Sequence, residues 1–283
     1  MPAVATTDLD GRALRERVNS QQWYHTIDLP GGVVTPGWFD LRELARTLPF
    51  PASMAGMRCL DIGTFEGFWA LQMEARGSSE VTGIDILDPL AWDWPFGSDE
   101  AVVAALEDRK RAGAGFELVK EVLPTKVERM ELSIYDLSPE RVGEFDFIYL
   151  GSLLLHLRDP VRALEAVRTV CRGQLLSVDA IDLPLSLLTR RPVAYLDGIG
   201  RPWWWRPNQA AVVRMLTSAG FRTVRPPRRV FMPPGPQHPK PAGAREVLKA
   251  LRAPGSRELL FASRFGSPHI ATLAEPMPIG TSS

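Results

Sequence analysis

The chain has 283 residues with 45% hydrophobic and 23% charged side chains, the balance of a globular protein with one main core and extensions rather than of a disordered or fibrous chain. Its 33 basic and 33 acidic residues cancel, so no global field draws it onto a polyanion. Met1–Asp10 has neither a basic start nor an apolar run, and nowhere do about 18 consecutive apolar residues occur, which predicts a soluble, cytoplasmic chain with no membrane partner.

Residues 1–50 read as an N-terminal extension or lid, punctuated by turns at Leu-Pro-Gly-Gly (29–32) and Thr-Pro-Gly (35–37). From Met57 short apolar runs alternate with amphipathic stretches, the pattern of a parallel sheet covered by helices. The first strand is expected over Met57–Ile62, a helix over 66–76, and the second strand over Val81–Ile86 with Asp85 near its end. Val102, Val103 and Leu106 give 98–112 helical spacing, and Phe116–Leu123 forms a further short helix. Val127–Ile134 and Phe145–Leu150 are the third and fourth strands; Asp159-Pro160 starts a helix as N-cap and first-turn proline.

Leu175–Val178 is the fifth strand, and a helix over 208–219 ends at Gly220. Phe221–Val224 and Glu258–Phe265 complete seven strands, 183–206 and 226–250 are insertions in a domain spanning 51–270, and 271–283 is a tail. Cys59 and Cys171 lie in apolar stretches without C-x-x-C spacing and read as reduced core thiols; no compact ligand set for a metal is found.

The chemistry concentrates in Asp61-Ile62-Gly63-Thr64-Phe65-Glu66-Gly67. A strand, a glycine turn and a helix let backbone amides approach a ligand, and Gly63 and Gly67 supply the two places where a Cβ would obstruct it. Asp85 follows at about the spacing of an acid that holds a ribose diol at the end of the next strand. The dinucleotide fingerprint needs glycine where Phe65 and Phe68 stand, and no Walker lysine is present.

What remains, D-x-G-T-x-x-G after an apolar strand, resembles motif I of the class I S-adenosylmethionine-dependent methyltransferases, and the order of elements from Met57 to Phe265 resembles their core. Trp23-Tyr24-His25, Gly67-Phe68-Trp69 and Leu155-His156-Leu157-Arg158-Asp159-Pro160 look like the subfamily of the tRNA wobble-uridine (carboxy)methyltransferase and its small-molecule relatives. The resemblance implies an α/β Rossmann-like fold with a seven-stranded, mostly parallel sheet and helices on both faces. It implies S-adenosyl-L-methionine as cofactor, bound by the turn that includes Thr64 and Gly67, with Asp61 and Gly63 at its methionine end, Asp85 on the ribose, Ile86 beside the adenine, Asp136 at the adenine amino group, and Gly151 and Ser152 facing the sulfonium. Against Asp136 stands the simpler alternative that it caps a turn.

Methyl transfer from a sulfonium needs alignment, water exclusion and, for a hydroxyl or protonated amine, a base. His156, just past the fourth strand, is either that base or a pin for its loop. His25 in the lid, Asp179 after the fifth strand, and Trp203 and Trp204 are candidates for the substrate side, as are Trp92, Trp94, Trp205 and Asp182; each tryptophan alternatively roofs the core. Arg222 to Arg229 is the one basic cluster, a phosphate contact or a solvated loop. The expected activity is O- or N-methylation of a small molecule, with a tRNA wobble-uridine enzyme and a non-catalytic cofactor-binding protein as alternatives.

Overall fold

The computed structural model describes residues 11–98, 100–110, 113–197, 203–239 and 254–278. An extension of α1 (Gly11–Asn19), the hairpin β1 (Asp28–Leu29) and β2 (Val33–Val34), and α2 (Arg42–Thr47) precedes the sheet. The sheet begins with β3 (Arg58–Ile62), α3 (Phe68–Glu74), β4 (Glu80–Asp85), α4 (Glu100–Lys110), α5 (Ala114–Val122) and β5 (Glu128–Glu131). It continues through α6 (Pro139–Val142), β6 (Phe145–Gly151), α7 (Pro160–Val170), β7 (Cys171–Ala180), α8 (Leu183–Leu188), the hairpin β8 (Ala194–Leu196) and β9 (Trp205–Pro207), and α9 (Gln209–Ser218). The last elements are β10 (Phe221–Thr223), β11 (Arg228–Met232), α10 (Pro254–Phe265) and β12 (Ser267–Pro276).

Sheet order is β10-β12-β7-β6-β3-β4-β5, with β11 also on β12. The five strands from β5 to β7 run parallel; β12 is antiparallel to β7 and to both β10 and β11. Apolar runs in β3 and β6 are buried on both faces, as a parallel sheet between two helical layers requires. One layer packs Phe68, Trp69, Met73 and the extension; the other packs Leu164, Val167 and Val170 of α7 with Val212 and Leu216 of α9. Chain direction across the sheet reverses between β3 and β6, so the crevice where open α/β sheets bind ligands lies at the carboxyl ends of these two strands.

Two expectations are corrected. Glu258–Phe265 lies inside α10, and the strand that completes the sheet is Ser267–Pro276, which takes in the first six residues of the expected tail. The misreading has a physical origin: β12 is buried on both faces, so its polarity does not alternate, and His269 and Thr272 break up its apolar run. The 183–206 and 226–250 insertions contain α8, β8, most of β9 and all of β11 rather than loop alone, while residues 240–253 and 279–283 lie outside the described residues. The cap expected at the start of α7 is in place, Asp159 accepting from the Arg162 amide at 3.0 Å, and Asn208 caps α9 by accepting from the Ala211 amide at 2.9 Å. Gly220 ends α9 with a φ of +87°.

The extension is part of the core rather than an appendage. Trp23 is fully buried, and its indole donates to the Val18 carbonyl at 2.9 Å. A Cβ at Gly37 would lie 2.3 Å from the backbone of His25 and Thr26, so only glycine lets the two segments meet. The 233–238 segment clamps the same place, the Gly235 amide donating to Trp38 at 2.7 Å and the Gln237 amide to Gly37 at 3.1 Å. Trp23→Ala is therefore expected to cost about 3–5 kcal/mol in urea unfolding, the range for truncating a buried aromatic; a loss below about 1 kcal/mol would mean the extension is merely draped over the fold.

Candidate functional site

The turn after β3 is built by two carboxylates at the ends of neighbouring strands. The Gly63 and Thr64 amides both donate to the Ile84 carbonyl, at 2.9 and 3.1 Å, which folds the turn back over β4. Gly63 has a φ of +75° and Gly67, which precedes α3, a φ of +87°, conformations that side chains disfavour. Thr64 turns inward: a Cβ on Gly83 would lie 2.8 Å from its side chain, so the glycine in β4 makes the space that Thr64 fills. From there its hydroxyl donates to Asp61 Oδ2 at 2.7 Å, and the Ala70 amide of α3 donates to the same oxygen at 3.1 Å.

The other oxygen, Asp61 Oδ1, is buried with no hydrogen-bond partner. Removing it from water pushes the carboxyl up to about 6, although Thr64, His25 and the Ala70 amide pull the other way. An orphaned carboxylate oxygen beside a bend free of side chains is what a cationic, hydrogen-bonding ligand would complete.

Asp85 is buried and already engaged. Its Oδ1 accepts from the Ile86 amide at 2.8 Å, and its Oδ2 from the Phe65 amide at 2.9 Å and from the Lys110 ammonium of α4. Lys110 is itself buried, 3.8 Å from the centre of the Phe65 ring and 5.7 Å from that of Trp92. Phe65, a non-glycine residue at a φ of +49°, also stacks on Tyr24 at 4.9 Å. Trp92 donates from its indole to the Ile86 carbonyl at 3.1 Å, which fixes it beside half-buried Ile86, and it stacks with Trp94 at 6.0 Å.

The extension reaches the same turn through Glu66, whose carboxylate accepts from the Tyr24 amide and from His25 Nδ1, both at 2.8 Å. His25 is buried and stacked on Phe68 at 5.4 Å, so it pins the extension to the turn from beneath a cover of aromatic rings. Tyr149 of β6 stacks on Trp69 at 4.4 Å, and its hydroxyl would be 2.5 Å from a Cβ on Gly151, which is why glycine ends this strand. Burial and the carboxylates of Asp61 and Asp179 hold that phenol protonated.

On the other side of the crevice, the Ser152 amide donates to Val178 at 3.0 Å, and Ser152 has a φ of +52°. Its hydroxyl lies 2.8 Å from His269 Nε2, and the Leu153 side chain 3.8 Å from the Cβ position of Gly63, so the two loops abut. Asp179 is buried and engaged: Oδ1 accepts from the Leu153 and Leu154 amides at 3.2 and 3.1 Å, and Oδ2 from Ser177 at 2.5 Å. Burial pushes its carboxyl up to about 6. Asp136 ends the single helical turn 134–136, exposed and 3.9 Å from Arg141, while Asp93 is the acid that joins the neighbouring elements.

Asp93 accepts from Tyr135 at 2.7 Å and from the Arg158 amide at 2.6 Å, and its carbonyl accepts from the Trp204 indole. The Trp204 amide donates to Leu155 at 2.7 Å and the Trp205 indole to Arg158 at 3.1 Å, so these tryptophans tie the β8–β9 hairpin over the half-buried His156 turn. Trp203 lies under Arg206 at 5.2 Å, and Asp182 caps α8 by accepting from the Leu185 amide at 2.7 Å. Both cysteines are free and buried, with thiols pushed up to about 12 by desolvation. The residues missed by sequence reasoning are Tyr24, Phe65, Glu66, Lys110, Tyr149 and His269; of these only Phe65 and Glu66 fall within the D-x-G-T-x-x-G segment.

A glycine turn between two buried acids at the switch point of a parallel sheet defines a nucleoside-cofactor-binding α/β protein. The methyltransferase-domain family matches residues 39–225, well over half of the chain, and the protein belongs to that family. It is 26% identical over 205 residues to the tRNA U34 carboxymethyltransferase of Azotobacter vinelandii, covering 70% of this chain and 56% of that protein. It is 27% identical over 150 residues to the ubiquinone biosynthesis O-methyltransferase of Pseudomonas aeruginosa, covering 52% of this chain and 51% of that protein. The chain thus spans about half the length of the curated relatives it matches. The N-terminal domain of EvdMO1 with S-adenosylhomocysteine bound shares the fold at a TM-score of 0.54 and 15% identity, over 95% of this chain and 98% of that one.

The residues present fit the family's cofactor, S-adenosylmethionine: Asp61 Oδ1 is an unfilled acceptor for an ammonium group, and Asp85 lies one strand away for a diol. Two outcomes follow. Because Asp61 keeps its proton up to about pH 6 when folded but only to 3.8 when unfolded, its stabilising contribution is full below about pH 4 and is lost as pH rises through about 6. Ligand binding needs the ionised form, so calorimetry should show S-adenosylhomocysteine binding weakening by about tenfold from pH 7 to pH 5, with Asp61→Asn flattening that dependence. Lys110→Met should lower the melting temperature of the free protein and, by removing the cation that competes for Asp85, tighten S-adenosylhomocysteine binding by roughly tenfold; weaker binding would make Lys110 part of the cofactor site instead.

Proposed function

We propose that this protein transfers a methyl group from S-adenosylmethionine to an oxygen or nitrogen of a small-molecule acceptor. The observation that carries this is the Asp61 carboxylate, saturated on one oxygen and orphaned on the other, at the head of a glycine turn in a member of the methyltransferase-domain family. When bound, the cofactor supplies a methyl on a positively charged sulfur, so the chain has to align the acceptor and keep water out rather than form a covalent intermediate. Asp61 and Gly63 hold the methionine end, Asp85 the ribose once Lys110 has moved away, and Ile86 with Trp92 flanks the adenine. Gly151 and Ser152 border the transfer end.

His156 is a candidate base; His156→Ala separates that role from one of fixing the turn below Trp204, since turnover survives only in the second case. A small acceptor is favoured over a nucleic acid because two arginines of the basic cluster, though exposed, are already engaged by groups of the chain itself. Arg222 pairs with Glu275, and Arg228 donates to the Thr47 carbonyl at 2.7 Å. The net charge of zero adds no attraction for a polyanion. A tRNA wobble-uridine acceptor, with a carboxymethyl group as cargo, is the second possibility, favoured by the similarity to tRNA U34 carboxymethyltransferases.

Tritiated methyl donor, offered separately with a dialysable metabolite extract and with bulk tRNA, decides between them. Label is expected in the dialysable fraction and is expected to fall at least tenfold with Asp85→Ala. Label in tRNA alone would transfer the assignment to the second possibility. Tight cofactor binding with label in neither would indicate a non-catalytic cofactor-binding protein.

A further inference from the structure

A buried histidine that no part of the proposed function uses stands behind Ser152. His269 lies near the start of β12, opposite Ala180 at the carboxyl end of β7 and Val230 of β11, and is 3% exposed. Its Nδ1 is 2.9 Å from the Ser267 carbonyl, which can only accept, so Nδ1 carries the hydrogen and Nε2 is left as a lone pair. Ser152 Oγ lies 2.8 Å from that Nε2, so the serine must donate. The thioether of Met232 at 3.3 Å is the weaker alternative acceptor. Burial pushes His269 down to about 4, which keeps this tautomer neutral at ordinary pH.

The direction of this chain has a chemical consequence. With its only hydrogen committed to His269, Ser152 has nothing left to donate and keeps lone pairs for another partner. Ser152 is half-buried, directly follows Gly151, and stands on the far side of the crevice from Asp85. It is also held at a φ of +52°, a conformation that non-glycine residues adopt where the surroundings impose it, and such outliers gather at functional sites.

We infer that Ser152 is the hydrogen-bond acceptor at the transfer end of the pocket, that His269 is the positioning residue that fixes its polarity, and that the pair selects acceptors presenting a neutral O–H or N–H rather than a carboxylate. The inference rests on the methyltransferase assignment. A carboxylate acceptor has no hydrogen to offer, and two oxygens would face each other across the contact at a cost. A hydroxyl or amine completes a chain running from its own hydrogen through Ser152 and His269 to the Ser267 carbonyl; its heteroatom lone pair stays free to form the bond to the methyl as the sulfur–methyl bond breaks, S-adenosylhomocysteine leaves, and the heteroatom's proton passes to the candidate base His156 or to solvent.

The test needs no knowledge of the acceptor. Sinefungin is the S-adenosylhomocysteine analogue that carries a protonated amine where the transferable methyl would be, so it reports on a hydrogen-bond acceptor at that end. Calorimetry with both ligands on the wild type, Ser152→Ala, His269→Gln and His269→Phe gives four affinity ratios. Ser152→Ala and His269→Phe are each expected to reduce the preference for sinefungin over S-adenosylhomocysteine at least fivefold. His269→Gln, whose amide oxygen can accept from Ser152, is expected to retain it.

In the wild type, nitrogen-15 spectra of the imidazole should show the Nδ1–H tautomer, and Ser152→Ala should shift the Nε2 resonance. A ratio unchanged in Ser152→Ala, or an Nε2–H tautomer in the wild type, overturns the inference. Failure of the wild type to bind S-adenosylhomocysteine overturns the methyltransferase assignment instead. Should His269→Phe not fold, Ser152→Ala, which leaves the core intact, decides the matter alone.

Discussion

The constraint on which the rest of this structure depends is that two carboxylates, Asp61 and Asp85, are taken out of water at the ends of adjacent parallel strands. Desolvating a carboxylate is costly unless hydrogen bonds or a cation compensate, and the surrounding sequence is largely an answer to that cost. Thr64 serves Asp61, and Gly83 exists to admit Thr64. The amides of Phe65 and Ile86 serve Asp85, and the Phe65 amide is aimed there only because its residue accepts a left-handed backbone. The turn is thus shaped by electrostatic need as much as by a ligand. Its one unmet need, the second oxygen of Asp61, marks where a ligand contributes most.

The same turn joins parts of the chain that lie far apart in sequence. Glu66 anchors His25 and the Tyr24 amide from the extension, and Tyr24 in turn stacks on Phe65 above Lys110. The extension is clamped from behind by the 233–238 segment, and Met232 at the start of that segment touches Ser152 on the opposite side of the crevice. The cofactor side and the acceptor side therefore share one continuous wall. A movement that frees Lys110 from Asp85 has to disturb the aromatic cover, which gives ligand entry a physical route to the extension.

How much of this was legible in the sequence depended on whether the information was local. Asp61, Gly63, Gly67 and Asp85 could be read because a glycine turn and an acid one strand later are short-range features, and the buried strands β3 and β6 could be read because their apolar runs are continuous. Lys110 could not. It shares a helical face with Val103 and Leu106, and a pattern search that scores apolar spacing passes over a lysine whose charge is neutralised by a strand end 25 residues earlier.

His269 lacked even that, since its meaning comes from Ser152, 117 residues away, and from a strand whose polar residues disguised it. Asp136 illustrates the converse. An acid after a strand is a local pattern that fits a ligand contact and a solvated turn equally well, and its exposed position beside Arg141 is compatible with both.

The charge balance at this edge of the sheet ties these features together. Asp61, Glu66, Asp85 and Asp179 are all buried there, and among the described residues their cationic partners are Lys110 and, when protonated, His25. Asp61 and Asp179 relieve the excess by binding protons more readily than exposed aspartates do. A ligand that displaces Lys110 from Asp85 would leave the site still more negative unless it brought positive charge of its own. An adenosyl ligand that carries an ammonium and a sulfonium against a single carboxylate would bring one net positive charge, and its ammonium would suit the orphaned Asp61 oxygen. A neutral nucleoside offers the same ribose and adenine without that compensation. The edge thus discriminates by charge as well as by shape, and the lysine that keeps the empty fold stable is also what a competing uncharged nucleoside cannot replace.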